Sequence, residues 1–284
     1  MSPDPGRGSK KLIVVTGPTA VGKTACAVRL AQELDTEIIS CDSRQFYREM
    51  RIGVARPSDE ELAAARHHFV ACRPVTEPYN IYDYREDALR VIRSLFERHD
   101  AVVAVGGSGL YIDALLHPVS PMPDPTPDLR LQLQQMPLEE KRARLQRLDP
   151  DYYARVDLRN PVRLQRALEV CLMTGRPYSQ VVAERSMCQV EGEWESEVRV
   201  MEMDRAELRS RIDRRVDCMM QQGLLDEVCS LLPFRHLNTL NTVGYRELFP
   251  VIDGSATLGD AVAAIKLNTW HYARKQMTWI RRYQ

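Results

Sequence analysis

The seven cysteines, at positions 26, 41, 72, 171, 188, 218 and 229, are odd in number, scattered, and never spaced as C-x-x-C. That argues against a disulfide framework and against a clustered zinc site, and it points to a reducing, cytoplasmic compartment. Long apolar runs are missing too. No stretch approaches the roughly 20 residues needed to cross a bilayer, and the first ten residues, rich in Gly, Pro and Ser, lack the apolar centre of a signal peptide. The expectation is a frayed leading tail and no membrane partner. Net charge is absent as well: 39 basic and 39 acidic residues cancel, so a nucleic-acid partner must be argued from how charge is distributed. No internal repeat and no low-complexity tract interrupts the chain. What is present is 284 residues, enough for one large or two small domains, with 44 % hydrophobic residues to build a core.

One local pattern carries the first chemical statement. Gly17-Pro18-Thr19-Ala20-Val21-Gly22-Lys23-Thr24 follows the apolar run Leu12 to Val15 and precedes an amphipathic helical stretch with Ala25, Val28, Leu30, Ala31 and Leu34. Strand, glycine-containing loop and helix in that order make a P-loop, which binds a polyphosphate. The glycines let backbone amides converge on phosphate oxygens at the positive end of a helix. Lys23 adds a charge, and the Thr24 hydroxyl is a ligand for Mg²⁺. An ordinary strand-to-helix turn accounts for Gly17 but not for Lys23 and Thr24 together.

Strand-like runs at 12–15, 37–40 and 101–105 alternate with helical segments at 24–34 and 83–98, which predicts βαβ units and a parallel sheet with helices on both faces. A later strand over 197–203 joins the same sheet. Five prolines within 118–127 mark a linker leaving the core. Helical stretches then follow at 128–135, 138–148, 150–156 and 161–174, the last stopped by Gly175 and Pro177. The expected class is α/β, with residues 1–118 and 183–284 as a P-loop core and 119–182 as a small all-helical insertion. That insertion carries Arg130, Arg142, Arg144, Arg147, Arg155, Arg159, Arg163 and Arg166, which read either as a solvated helical surface or as a grip on phosphates. Residues 265–284 hold five basic and no acidic side chains, interleaved with Trp270, Tyr272, Trp279 and Tyr283. Basic charge with aromatic rings suits single-stranded nucleic acid, although both tryptophans read equally well as core.

In open parallel sheets ligands gather beyond the carboxyl ends of the strands. Two further segments fall there. In Cys41-Asp42-Ser43-Arg44-Gln45-Phe46-Tyr47, Asp42 projects toward whatever the P-loop holds, or else caps a helix. In Gly106-Gly107-Ser108-Gly109, the backbone is permissive enough for close approach of a ligand or for a plain tight turn. The strand 101–105 contains no acidic residue, so the aspartate that orders Mg²⁺ in many NTP-hydrolysing enzymes is missing from its usual place. A kinase, or a transferase with diphosphate as leaving group, remains.

Taken together, GPTAVGKT (17–24), ISCDSRQFY (39–47), IGVARPS (52–58), HHF (67–69), VGGSGLYI (105–112), NPVRLQRALEV (160–170), RVD (215–217), NTVGYRE (241–247) and the ARKQMTWIRR tail resemble the tRNA dimethylallyltransferase family of the bacterial type. Ser108 stands where the family usually has Thr, and Val54 and Arg56 replace the more frequent Thr and Lys. The resemblance implies transfer of a dimethylallyl group from dimethylallyl diphosphate to the exocyclic amine of the adenosine 3′ of the anticodon. It implies the diphosphate in loop 17–24 with Mg²⁺ on Thr24, Asp42 as general base, and Thr19 and Arg215 on the leaving group. It further implies contacts to the tRNA anticodon stem-loop from Asp42, Ser43, Arg44, Gln45, Ser108, Arg130, the stretch Gln165, Arg166, Ala167, Leu168 and Glu169, and the stretch Asn241, Thr242, Val243, Gly244, Tyr245 and Arg246. By itself Arg215 reads as a surface charge on a helix whose apolar face is Leu208, Ile212 and Val216. His67 and His68 receive no chemistry. ATP-binding belongs to the same expectation, and no obligate protein partner is implied, a monomer being sufficient. Alternatives are a prenyltransferase acting on free adenine nucleotides, a small-molecule P-loop kinase, and an RNA-binding module with a relic P-loop.

Overall fold

The computed structural model describes residues 10–117, 123, 125–186 and 194–284. The expected leading tail and most of the proline linker lie outside these residues. The chain forms two compact units, Met1–Leu116 with Gly192–Gln284, and His117–Glu191.

In the first unit the chain runs β1 (Lys11–Thr16), α1 (Lys23–Glu33), β2 (Ile38–Ser40), α2 (Asp59–Ala64), β3 (His67–His68), α3 (Ile81–Phe96), β4 (Ala101–Gly106) and α4 (Gly109–Leu116). The second unit supplies α5 (Pro127–Gln135), α6 (Leu138–Leu148), α7 (Pro150–Tyr153), α8 (Pro161–Thr174) and α9 (Tyr178–Ser186). The chain then re-enters the first unit with β5 (Glu195–Val200), α10 (Arg205–Gln221), α11 (Leu224–Ser230), α12 (Phe249–Ile252) and α13 (Leu258–Ile280).

All strand pairings are parallel, in the order β3-β2-β4-β1-β5. The apolar runs of β1 and β4 are covered on both faces, as a parallel sheet requires. Their side chains alternate by period two. Leu12, Val14, Val102 and Ala104 join the large cluster with Ala88, Ile92 and Leu95 of α3, whereas Val15, Val103 and Val105 pack with Ala27, Val28 and Ala31 of α1. β5 is an exposed edge and carries Glu195, Glu197 and Arg199, charges that discourage further strand pairing. It starts and stops earlier than expected, because Asp204 caps α10 through the amides of Ala206 and Glu207. β3 is two residues long, too short to leave a pattern in the sequence.

The helical unit has its own core of Leu133, Met136, Leu145, Leu164, Ala167 and Leu168. Buried Asp149 ties it together, accepting from the amides of Tyr152 (2.9 Å) and Ser179 (2.6 Å) and from the Ser179 hydroxyl (2.8 Å). Gly175, at φ 67°, ends α8 in the left-handed conformation that favours glycine. The expected return to the core at 183 falls inside α9, which continues through Ser186. The first unit is a P-loop NTPase-like α/β core, and no helix among the described residues is long and apolar enough to cross a membrane.

Candidate active site

β4 lies between β1 and β2, with Thr16 opposite Gly106 and Ser40 opposite Val105. The loops that leave these three strands therefore meet at one edge of the sheet: the P-loop, the Asp42 loop and the Gly107 loop. They open onto a cavity of about 710 Å³ lined by Thr19, Lys23, Thr24, Asp42, Arg215 and Tyr272, among others.

The P-loop backbone is tightly constrained. A Cβ at Gly17 would lie 2.7 Å from the Met201 carbonyl oxygen, so only glycine fits against β5's exit. Ala20 (φ 68°) and Gly22 (φ 102°) both adopt left-handed backbone, which curves the loop tightly between β1 and α1. For Ala20 this costs on the order of 1 kcal/mol, strain of the kind held at functional sites. Lys23 donates to the carbonyls of Gly17 (3.0 Å) and Pro18 (2.8 Å). The residue keeps some exposed surface, but its ammonium is enclosed. Burial and, second, the charge of Arg215 pull its pKa down to about 7, with Asp42 acting in the opposite direction.

Arg215 leaves the face of α10 opposite to solvent and donates to the Thr19 hydroxyl at 3.1 Å. Its burial disfavours the charge, and Glu61 and Asp42 offset that cost. The surface-charge reading of this arginine is thereby corrected. Asp42 accepts the amides of Arg44 (2.9 Å) and Gln45 (3.3 Å) on the same oxygen, Oδ1. It holds a turn rather than a helix, and its second oxygen makes no hydrogen bond among the described residues. Gln45 donates to the carbonyls of Val54 (3.3 Å) and Ala55 (3.0 Å), and so fixes the far wall of the cavity. Ser108 accepts the amide of Ser43 at 3.2 Å and donates to its hydroxyl at 3.3 Å.

The P-loop, the Asp42 carboxylate and the Arg215 guanidinium thus line one cavity. A model of the family described as IPP transferase covers residues 45–283. The chain belongs to that family. It is 44 % identical to tRNA dimethylallyltransferase 1 of Bacteroides thetaiotaomicron, over 95 % of this chain and 88 % of the relative. It is 42 % identical to the tRNA dimethylallyltransferase of Flavobacterium johnsoniae, over 96 % and 91 %. Its fold is similar to that of tRNA delta(2)-isopentenylpyrophosphate transferase from Staphylococcus epidermidis, with TM-score 0.69, 29 % identity and coverage of 97 % and 91 %. The crystallographic snapshots of a eukaryotic dimethylallyltransferase acting on tRNA align at TM-score 0.81 and 25 % identity, over 96 % of this chain and 70 % of that one.

The remaining positions that the sequence resemblance marked for RNA divide by burial. Ser43, Arg44, Gln45 and Asp42 cluster with Ser108 as described. Arg130 is exposed on α5. Ala167 and Leu168 are fully buried in the core of the helical unit, and Glu169 accepts from Gln165 (3.0 Å) and Arg166 (3.1 Å). Those three side chains face inward, so only Gln165 and Arg166 of that stretch present anything to a partner. Tyr245 is also fully buried: its hydroxyl donates to Glu227 at 2.6 Å, and its ring leaves room only for glycine at Gly53. Asn241, Thr242, Val243, Gly244 and Arg246 surround that anchor, with Gly244 in left-handed backbone (φ 98°).

The eight arginines of the insertion are mostly engaged locally. Arg142, Arg144, Arg159 and Arg166 pair with Glu139, Glu140, Asp157 and Glu169, and Arg155 donates to the Asp151 carbonyl. Arg130, Arg147 and Arg163 have no such partner among the described residues. The basic C-terminal stretch is likewise not a free tail but the end of α13. Trp279 and Arg282 donate to Asp113 at 3.2 Å each, and Ala273, Gln276 and Ile280 are buried. Arg274, Lys275 and Arg281 remain exposed. His67 and His68 bond the Ala65 carbonyl (2.8 Å) and Glu37 (2.6 Å) at the sheet edge.

Of three further site residues, Glu227 had no sequence signal, while Tyr272 and Gln276 were seen only as part of the basic, aromatic C-terminal stretch. Glu227 accepts the amides of Arg51 (3.1 Å), Ile52 (2.7 Å) and Gly53 (3.1 Å) and thereby holds the loop that lines the cavity. Tyr272 and Gln276, one turn apart on α13, reach the cavity from the opposite side. Burial and the nearby charge of Asp42 push the Tyr272 phenol up to about 12, so it stays neutral.

Proposed function

We propose that this chain is a tRNA dimethylallyltransferase, moving the dimethylallyl group of dimethylallyl diphosphate onto the exocyclic amine of the adenosine immediately 3′ of the anticodon. The observation that carries the reading is the meeting of the P-loop, the Asp42 carboxylate and the Arg215–Thr19 pair in one cavity. A kinase would use a similar cradle, and it is the curated relatives, matched over 95 % of the chain or more, that favour prenyl transfer over it.

In the reaction the amine nitrogen forms a bond to the allylic carbon while the carbon–oxygen bond to diphosphate breaks. The amine's proton passes to Asp42, whose Oδ1 is occupied by two amides and whose other oxygen is available. Negative charge growing on the leaving oxygen is met by the P-loop amides, by Lys23, and by Arg215 acting with Thr19. Ile52, Val54 and Met219 line the same cavity and offer an apolar surface to the dimethylallyl group.

Mg²⁺ fits as an ion shared with the substrate. Thr24 presents a hydroxyl that makes no hydrogen bond among the described residues, and those residues contain no group of three His, Cys, Asp or Glu able to hold a metal. A hard ion that keeps waters and binds phosphate oxygens suits a single protein ligand of this kind. When bound it would neutralise diphosphate charge.

The acceptor base has to leave its stack to reach a diphosphate at the sheet edge. Arg130, Arg147 and Arg163, and separately Arg274, Lys275 and Arg281, supply exposed positive charge for the tRNA backbone. The six described cysteines are all unpaired, in keeping with a cytoplasmic setting. The test is incubation with dimethylallyl diphosphate and an unmodified tRNA transcript, followed by digestion and nucleoside mass analysis. A prenylated adenosine next to the anticodon is expected; its absence with folded protein, or a phosphorylated product from labelled ATP, would refute the reading.

A further inference from the structure

Gln276 sits where α13 crosses the open edge of the sheet. Its side-chain amide is buried, with Oε1 accepting the backbone N–H of Thr19 at 2.8 Å and Nε2 donating to the carbonyl of Gly107 at 2.9 Å. One residue thus joins the loop after β1 to the loop after β4. The fit is tight: a Cβ on Gly107 would come within 2.2 Å of Nε2. One turn earlier on α13, Tyr272 lines the same cavity, close to Ser108 and Gln276. Ser108 in turn holds Ser43, the residue after Asp42. A connected run therefore leads from Thr19 through Gln276 to Gly107, along the chain to Ser108, and by hydrogen bonds from Ser108 to Ser43 in the loop that carries the base.

That run matters because β1 and β2 are not neighbours in the sheet. The cradle that holds the leaving group and the loop that holds the base are separated by β4, and the sheet alone does not fix how far apart their tips stand. Displacement at the allylic carbon requires amine, carbon and leaving oxygen to line up. A misplacement of about 1 Å can cost on the order of 10² in rate. We infer that Gln276 is a positioning residue that sets the diphosphate cradle and the Asp42 loop in register for transfer. The inference rests on the prenyl-transfer reading above.

A primary amide is suited to the position because it accepts and donates at once. A carboxylate could still accept from Thr19 but would confront the Gly107 carbonyl. It would also stand close to Lys23, whose Nζ is 3.4 Å from the position of a Cβ on Gly107. A protonated carboxyl would restore the donor. The alternative is that Gln276 only satisfies buried polar groups, in which case its loss lowers stability and leaves the kinetics of the folded fraction unchanged.

The test is steady-state prenylation of tRNA by the full chain and its variants, with folding checked by thermal denaturation and diphosphate affinity by calorimetry. Gln276→Met should lower kcat by about 10² while the affinity for dimethylallyl diphosphate changes only severalfold. Gly107→Ala, which displaces the amide without altering it, should give a similar kcat defect. The double variant should match the worse single one, because both break one linkage. For Gln276→Glu, the ratio of its kcat to that of the wild type should rise as pH falls, as the new carboxyl takes up a proton. Folded variants with kcat near that of the wild type, multiplying losses in the double variant, or a Gln276→Glu ratio flat with pH would each overturn the inference. So would loss of folding in all of them. A wild-type protein that transfers no prenyl group would instead defeat the parent reading, and the two failures are distinguishable.

Discussion

The enclosed Lys23 ammonium makes diphosphate binding a protonation event. In the free protein its pKa is about 7, because burial and the charge of Arg215 outweigh the attraction of Asp42. A diphosphate in the cradle favours the ammonium, so the bound pKa must be higher. The complex then holds more protons than the free protein above pH 6 or so, and affinity must fall as pH rises through the free value. With a free pKa of 7, affinity drops about tenfold between pH 6 and pH 8, on the order of 1.4 kcal/mol. At pH 7 binding should draw in about half a proton. Calorimetry in buffers of different ionisation enthalpy measures that uptake directly. The ligand's last phosphate ionisation, near pH 6, contributes with the opposite sign, and a Lys23→Met variant reports that contribution alone.

The same displacement bears on folding. A lysine whose folded pKa is depressed below its unfolded value destabilises the native state at low pH, and the penalty is relieved as pH rises from about 7 toward 10.5. Its upper limit is roughly 5 kcal/mol. Lys23→Met should therefore raise the Tm of the free protein at pH 7 and abolish most of the Tm gain from ligand. Zero proton uptake by the wild type at pH 7, together with an affinity flat from pH 6 to 8, would refute the argument.

Asp42→Asn should keep the Oδ1 bonds to the amides of Arg44 and Gln45, preserve diphosphate binding, and lower turnover by roughly 10² or more; Asp42→Ala should in addition loosen the loop, read as a higher KM for tRNA. Removing the charges of Arg274, Lys275 and Arg281 together should weaken tRNA binding and flatten its dependence on salt without unfolding the protein, and unchanged salt dependence would remove α13 from the RNA surface. Arg282, tied to Asp113, should behave differently, with its loss lowering Tm more than tRNA affinity. Glu227→Gln should lower Tm by leaving the amides of Arg51, Ile52 and Gly53 poorly matched, and raise KM for the allylic diphosphate through the loop they belong to.

What could be read from the sequence was what local spacing encodes. The P-loop is eight consecutive residues between a strand and a helix, and Asp42 follows directly on a strand, so both could be placed before any coordinates. The helical insertion was visible from its periodicity, but Ala167 and Leu168, placed among the RNA contacts by the resemblance, proved to be core, as their i, i+3 and i+4 spacing with Leu164 allows. The direction of a polar side chain is a different matter. Arg215 reads as a solvated charge until α10 is docked and its partner proves to be Thr19, 196 positions away.

The C-terminal helix makes the point most sharply. As a string, residues 265–284 are basic and aromatic and suggest a strip for RNA. Folded, the strip has two faces with opposite duties. Arg274, Lys275 and Arg281 look outward, while Gln276 and Trp279, three positions apart, turn inward. Their partners are Thr19, Gly107 and Asp113, reached across 257 positions for Thr19 and 166 for Asp113. Nothing local tells a buried glutamine from a solvated one in such a run. Yet the spacing that hides the site is also what makes it work: a single helix, laid late across the carboxyl ends of strands formed early in the chain, can hold several loops in place at once, which none of those loops can do for itself.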